Sequence, residues 1–89
     1  MALQILNQGP PPEQIAGQLR DAIAGAIAGA EIEVVPRGPG HFEIQVVSEA
    51  FAGKSRVQQH QLVYGAITDL MSGAQAPVHA IDRLDCRVP

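Results

Sequence analysis

The chain has too few cysteines for a disulfide framework, too few aromatics for a base-stacking surface, and no excess of basic residues. Each shortage removes a class of function. Cys86 is the single cysteine among 89 residues, so neither an internal disulfide nor an all-cysteine metal cluster can form. A lone thiol suits a reducing compartment. Aromatic residues make up 3% of the chain against a hydrophobic content of 46%, so the core is expected to be aliphatic. Binding single strands by stacking needs exposed rings, and of Phe42, Phe51 and Tyr64 at least two read as buried. The formal charge is −3, with six scattered Lys and Arg, which is not the clustered basic surface that a phosphate backbone requires. Arg37, Lys54 and Arg56 remain as a trio that could meet in a local basic spot. The longest small-apolar run, AIAGAIAGA, is far short of the roughly 20 residues of a membrane span. The opening MALQILNQGPPPEQ lacks the basic start and apolar centre of a signal peptide. A soluble, cytoplasmic protein with no membrane contact is expected.

What is present is pattern. Residues 1–11 read as a flexible tail closed by Gly9 and prolines, and 12–89 as one domain. Pro12 suits the first position of a helix, where its missing N–H would have no partner anyway. Ile15, Leu19, Ala22, Ile23, Ala26, Ile27 and Ala30 then recur at helical spacing. Gly25 and Gly29 are expected to let this helix pack closely on a sheet. EIEVV alternates as a strand, PRGPG reads as a turn, and HFEIQVV alternates again with Phe42, Ile44 and Val46 on one face. Ser55 followed by Gln58 has capping-box spacing and predicts a helix start. Val57, Val63, Tyr64, Ile67, Leu70 and Met71 mark its expected buried side. After Gly73 and Pro77, VHAIDRLDCRV reads as a third strand. The order is α-β-β-α-β, with room for a helical break near Thr68. A helical crossover between the last two strands implies an α+β fold, a three-stranded sheet with helices packed on one face.

The candidate chemistry is sparse. AFAGKS ends like a phosphate-binding loop, but Ser48 stands five positions before Gly53, where that motif needs a glycine. A glycine turn followed by a serine cap explains the stretch. No glycine pair has the Gly-x-x-Gly spacing with which a KH module grips a nucleic-acid backbone. Three histidines remain: His41 at the start of the second strand, His60 near the apolar stripe of the second helix, and His79 at the mouth of the third strand. Two or three imidazoles and one distant cysteine fall short of a self-contained tetrahedral metal site, so any bound metal would need ligands from a partner. No nucleophile–base arrangement stands at motif spacing, and an enzyme is not expected.

The segment HFEIQVVSEAFAGKSRVQQHQLVYGAI followed by PVHAI resembles the BolA-like family. The matching pieces are the strand ending Val-Val-Ser-Glu-Ala-Phe, the Phe-x-Gly turn, the helix opening Val-x-x-His, then Leu-Val-Tyr, and a strand starting His-Ala. They cover about residues 13–82 in order. The resemblance implies an α-β-β-α-α-β fold of the class II KH type. It also implies a monothiol glutaredoxin partner and a [2Fe–2S] cluster shared with that partner and glutathione. In such complexes the BolA-like chain supplies a histidine from the His-Ala strand, which is His79 here. A second ligand ordinarily comes from the loop between the first two strands. PRGPG contains neither His nor Cys, so His41 at its end is the nearby candidate. Many family members carry Arg before the helix histidine, where this chain has Gln59. His60, Arg56 and Lys54 are expected to face a partner.

Two functions follow from the resemblance: an iron–sulfur trafficking adaptor, or a small DNA-binding regulator of stress or cell-shape genes. The acidic balance and the missing Gly-x-x-Gly weigh against the second. A homodimer formed around His79 in the absence of glutaredoxin is a further expectation.

Overall fold

The computed structural model of the protein describes residues 10–89. The tail expected over residues 1–11 lies outside them, apart from Pro10 and Pro11. Helix α1 spans Pro12–Ala26 and starts with its proline, as the spacing predicts. Ile15, Leu19 and Ile23, four residues apart, lie one above another on a single face, and all are buried. Ile27 closes the helix with its N–H on the Ile23 carbonyl at 2.9 Å. Gly25 and Gly29 do not pack on the sheet. A Cβ on either would meet open space, and Gly29 instead supplies the left-handed turn (φ +67°) out of the helix.

Strands β1 (Glu31–Gly38) and β2 (His41–Val47) form an antiparallel hairpin. The turn is shorter than the PRGPG stretch predicts. β1 continues through Pro36 and Arg37 with an irregularity before Gly38, and only Pro39 and Gly40 connect the strands. Proline is tolerated because β1 is an edge strand. Ser48 is buried, donates to the Ala28 carbonyl at 3.2 Å and accepts from the Ala50 N–H at 3.0 Å. It thereby caps a single 3-10 turn, Glu49–Phe51. Gly53 (φ +75°) then reverses the chain into helix α2 (Arg56–Met71). The capping box is fully formed: Ser55 Oγ accepts from the Gln58 N–H at 3.2 Å, and Gln58 Oε1 accepts from the Ser55 N–H at 2.9 Å.

Helix α2 runs unbroken through Thr68, so the extra helical element precedes α2 rather than interrupting it. Its buried stripe holds Val63 and Ile67, flanked by partly buried Ala66, Leu70 and Met71. Val57 and Tyr64 lie off that stripe, at 65% and 38% exposure. Measured from Val63, Tyr64 stands about 100° and Val57 about 120° around the helix, beyond Ile67 and Met71 on the edge that turns to solvent.

Strand β3 (Ala80–Arg87) joins β2 in parallel, giving the order β1-β2-β3 with β2 central. Phe42, Ile44 and Val46 turn to the same apolar cluster as Ile15, Leu19, Ile23, Val63 and Ile67. Both helices therefore cover one sheet face, and the alternate residues Glu33, Glu43, Gln45, Arg83 and Asp85 line the other. Among the described residues no helix is long and apolar enough to cross a membrane.

Candidate functional site

The turn glycine Gly40 organises one end of the sheet. At φ +76° it adopts the left-handed conformation that the two-residue turn requires. Its carbonyl receives the N–H groups of both His79, at 2.8 Å, and Ala80, at 3.1 Å. Those two bonds seat the mouth of β3 against the hairpin. Val78 is buried just before it, with its N–H on the Leu70 carbonyl at 3.1 Å, which fixes the entry from α2. His79 is exposed, and its ring lies over Gly40. His41, the next residue after Gly40, opens β2 and pairs in register with Ala80. The two histidines thus flank one glycine, His41 by sequence and His79 by packing.

His41 is not merely an exposed strand residue. Its Nδ1 lies 2.9 Å from Asp82 Oδ1, and both side chains are partly open to solvent. Cys86 is remote from this rim, pairing with Val46 near the other end of β2. Its thiol is pushed up to about 11, by burial first and by the Asp85 charge second. It stays protonated at neutral pH and makes a poor ligand.

The residues expected to face a partner separate. Arg56 and His60, at the start of α2, line a shallow hollow with Arg83, Asp85, Cys86 and Arg87 of β3. A hydrogen bond from Arg87 holds the Asp85 carboxyl below its usual range against the opposing effect of burial, helped by the charges of Arg87, Arg83 and Arg56. Lys54 is exposed in the preceding loop, its N–H on the Phe51 carbonyl. Arg37 does not join them; it pairs with Glu43 at 3.3 Å. The basic spot is therefore built by Arg56 with Arg83 and Arg87, not with Arg37.

Asp82, Arg83 and Arg87 escape notice in the sequence, where VHAIDRLDCRV reads simply as a third strand. A signal is there nonetheless. Two consecutive charged residues, Asp82 and Arg83, separate the apolar Ile81 and Leu84 and break the two-residue period.

The family model described as BolA-like protein matches residues 23–87. Among curated relatives, BolA-like protein 1 of Homo sapiens is 33% identical over 86 residues, covering 91% of this chain and 60% of that protein. The chain thus spans less than two thirds of that relative's length. Among solved structures, the BolA domain of SufE1 from Arabidopsis thaliana superposes with a TM-score of 0.71 at 27% identity, covering 84% of this chain and 92% of that one. BolA1 from Mus musculus superposes with a TM-score of 0.68 at 29% identity, covering 91% and 68% respectively.

Proposed function

Since the chain belongs to the BolA-like family, we propose that it is a non-enzymatic adaptor that binds a monothiol glutaredoxin and helps carry or deliver [2Fe–2S] clusters. The observation that carries this reading is the exposed pair of imidazoles around Gly40, His79 and His41, at the mouth of β3. Among the described residues no group of three or more His, Cys, Asp or Glu is placed to hold a metal ion. A metal held here would therefore need further ligands from a partner. His79 and His41 would hold one iron, and the glutaredoxin cysteine with a glutathione thiolate would hold the other. A cluster bound this way supplies an exchangeable iron–sulfur unit whose potential is raised by imidazole in place of thiolate. Because the imidazoles bind as neutral ligands, capture weakens in acid.

The chain's own part is to present the rings. The His79 main chain is fixed by the bond from its N–H to Gly40, a bond that survives replacement of the side chain. The protein mixed anaerobically with a monothiol glutaredoxin, glutathione, iron and sulfide is expected to give a one-to-one complex. Its visible absorption and circular dichroism should differ from those of glutaredoxin alone, and the difference should vanish with His79→Ala. A complex with an unchanged spectrum would mean docking without these histidines, and no complex at all would sink the reading.

A DNA-binding regulator is the second reading, and one observation favours it. Arg56, His60, Arg83 and Arg87 gather at the start of α2 despite the acidic chain. An anionic partner would meet the Arg56 and Arg83 side chains there.

A further inference from the structure

We propose that Asp82 is a positioning residue that makes His41 the second ligand of the shared cluster; this rests on the adaptor reading above. The first support is the ladder. β2 and β3 pair as Phe42 with Ile81 and then Glu43 with Arg83, so Asp82 is an extra residue with no partner across the ladder. Without that extra residue, every later side chain of β3 would sit on the opposite face. With it, Leu84 pairs with Ile44 and Cys86 with Val46, and both pack against the core. The bulge thus has a packing cause. Beside the bulge, Asp82 keeps the open face that it shares with His41, and its carboxylate meets His41 Nδ1 at 2.9 Å.

The second support is the chemistry of that contact. A carboxylate only accepts hydrogen bonds, so a neutral His41 ring carries its proton on Nδ1 and keeps the Nε2 lone pair for a metal. A carboxylate behind the non-coordinating nitrogen is the usual way a protein fixes the tautomer and orientation of a ligating imidazole. The contact forms beside Gly40, against which His79 is seated, and not elsewhere on the sheet. A second ligand is thereby supplied from the first residue of β2, although the hairpin turn itself holds neither His nor Cys.

The test uses the full chain with wild type, Asp82→Ala, Asp82→Asn, His41→Ala and His79→Ala. Nitrogen-15 spectra of the histidine rings in the metal-free protein, in mildly alkaline solution, report the tautomer of His41. Titration with glutaredoxin, glutathione, iron and sulfide reports the midpoint for forming the mixed complex. Wild type should show the proton on Nδ1, whereas Asp82→Asn, whose amide can turn its N–H donor to Nδ1 and leave the proton on Nε2, should lose that preference as Asp82→Ala does. Asp82→Ala should lose that tautomer preference and shift the midpoint by about 10- to 100-fold, the usual cost of removing such a support, with His41→Ala at least as affected. Should Asp82→Ala and His41→Ala keep the wild-type midpoint while His79→Ala abolishes the complex spectrum, the role of Asp82 is overturned and the adaptor reading stands. A wild-type spectrum in His79→Ala would remove the adaptor reading and this inference together.

Discussion

The His79 imidazole occupies the space that a side chain on Gly40 would need: a Cβ there would meet His79 Nδ1 at 2.6 Å and Cγ at 2.7 Å. Gly40→Ala therefore has two effects. The left-handed backbone (φ +76°) costs about 1–2 kcal/mol for a residue with a Cβ, and the histidine ring must leave its seat. Gly38→Ala is the control, because a Cβ at Gly38 meets open space. Urea unfolding should show the loss for Gly40→Ala and a change within about 0.5 kcal/mol for Gly38→Ala. The glutaredoxin mixture should lose its distinct spectrum only with the former.

Much of this arrangement is legible in the sequence, and the rest is hidden for physical reasons. Ser55 with Gln58, Pro12, and the alternation of Phe42, Ile44 and Val46 each encode a local rule, and each forms as the rule predicts. His79 is singled out only through the family resemblance at the His-Ala strand start, and the structure places it exposed with its ring over Gly40. Periodicity does not locate Val57 and Tyr64, because an apolar residue can lie beside a stripe without entering it. Gly25 is a small residue that reads as a packing contact but faces open space. Asp82 is the hardest to find. Its role depends on a contact between residues 41 apart in the chain, beside a register shift that only the paired charges at Asp82 and Arg83 betray.

Ser48, at the position where a phosphate loop would need glycine, is expected to be a structural residue. It is 1% exposed and bonds both the Ala28 carbonyl and the Ala50 N–H, tying the end of α1 to the 3-10 turn. Ser48→Ala leaves both groups without that partner, at a cost of about 1–3 kcal/mol. Chemical denaturation should register this loss, and nucleotide binding should be absent before and after the substitution. A Ser48→Ala protein as stable as wild type would contradict this role.

Cys86 makes stability fall in alkali. Burial, and then the Asp85 charge, pushes the folded thiol up to about 11 from an ordinary value of 9.0. The unfolded chain therefore loses its proton first. The thiol's contribution is complete below the unfolded value and disappears as pH climbs from 9.0 to about 11. Urea midpoints measured across that window should decline for wild type, and less steeply for Cys86→Ser. Thiol alkylation in the native protein should also rise toward the higher value, lagging a free cysteine peptide. Equal alkylation profiles for protein and peptide would show the thiol to be unprotected.

The hollow beside α2 limits how strongly the protein can hold DNA. Arg87 is committed to Asp85 at 2.8 Å, which leaves Arg56 and Arg83 as the guanidiniums of the hollow without an ion pair among the described residues. Two phosphate contacts would give a slope of about −2 in log affinity against log salt, or roughly a tenfold loss over a fourfold rise in salt. Sequence-specific regulators commonly make several times as many contacts. Binding to duplex DNA is therefore expected to be weak, shallow in salt and abolished by Arg56→Glu with Arg83→Glu, while the glutaredoxin spectrum persists in the same variant. A slope several times steeper would require basic contacts outside this hollow and would move the regulator reading ahead of the adaptor.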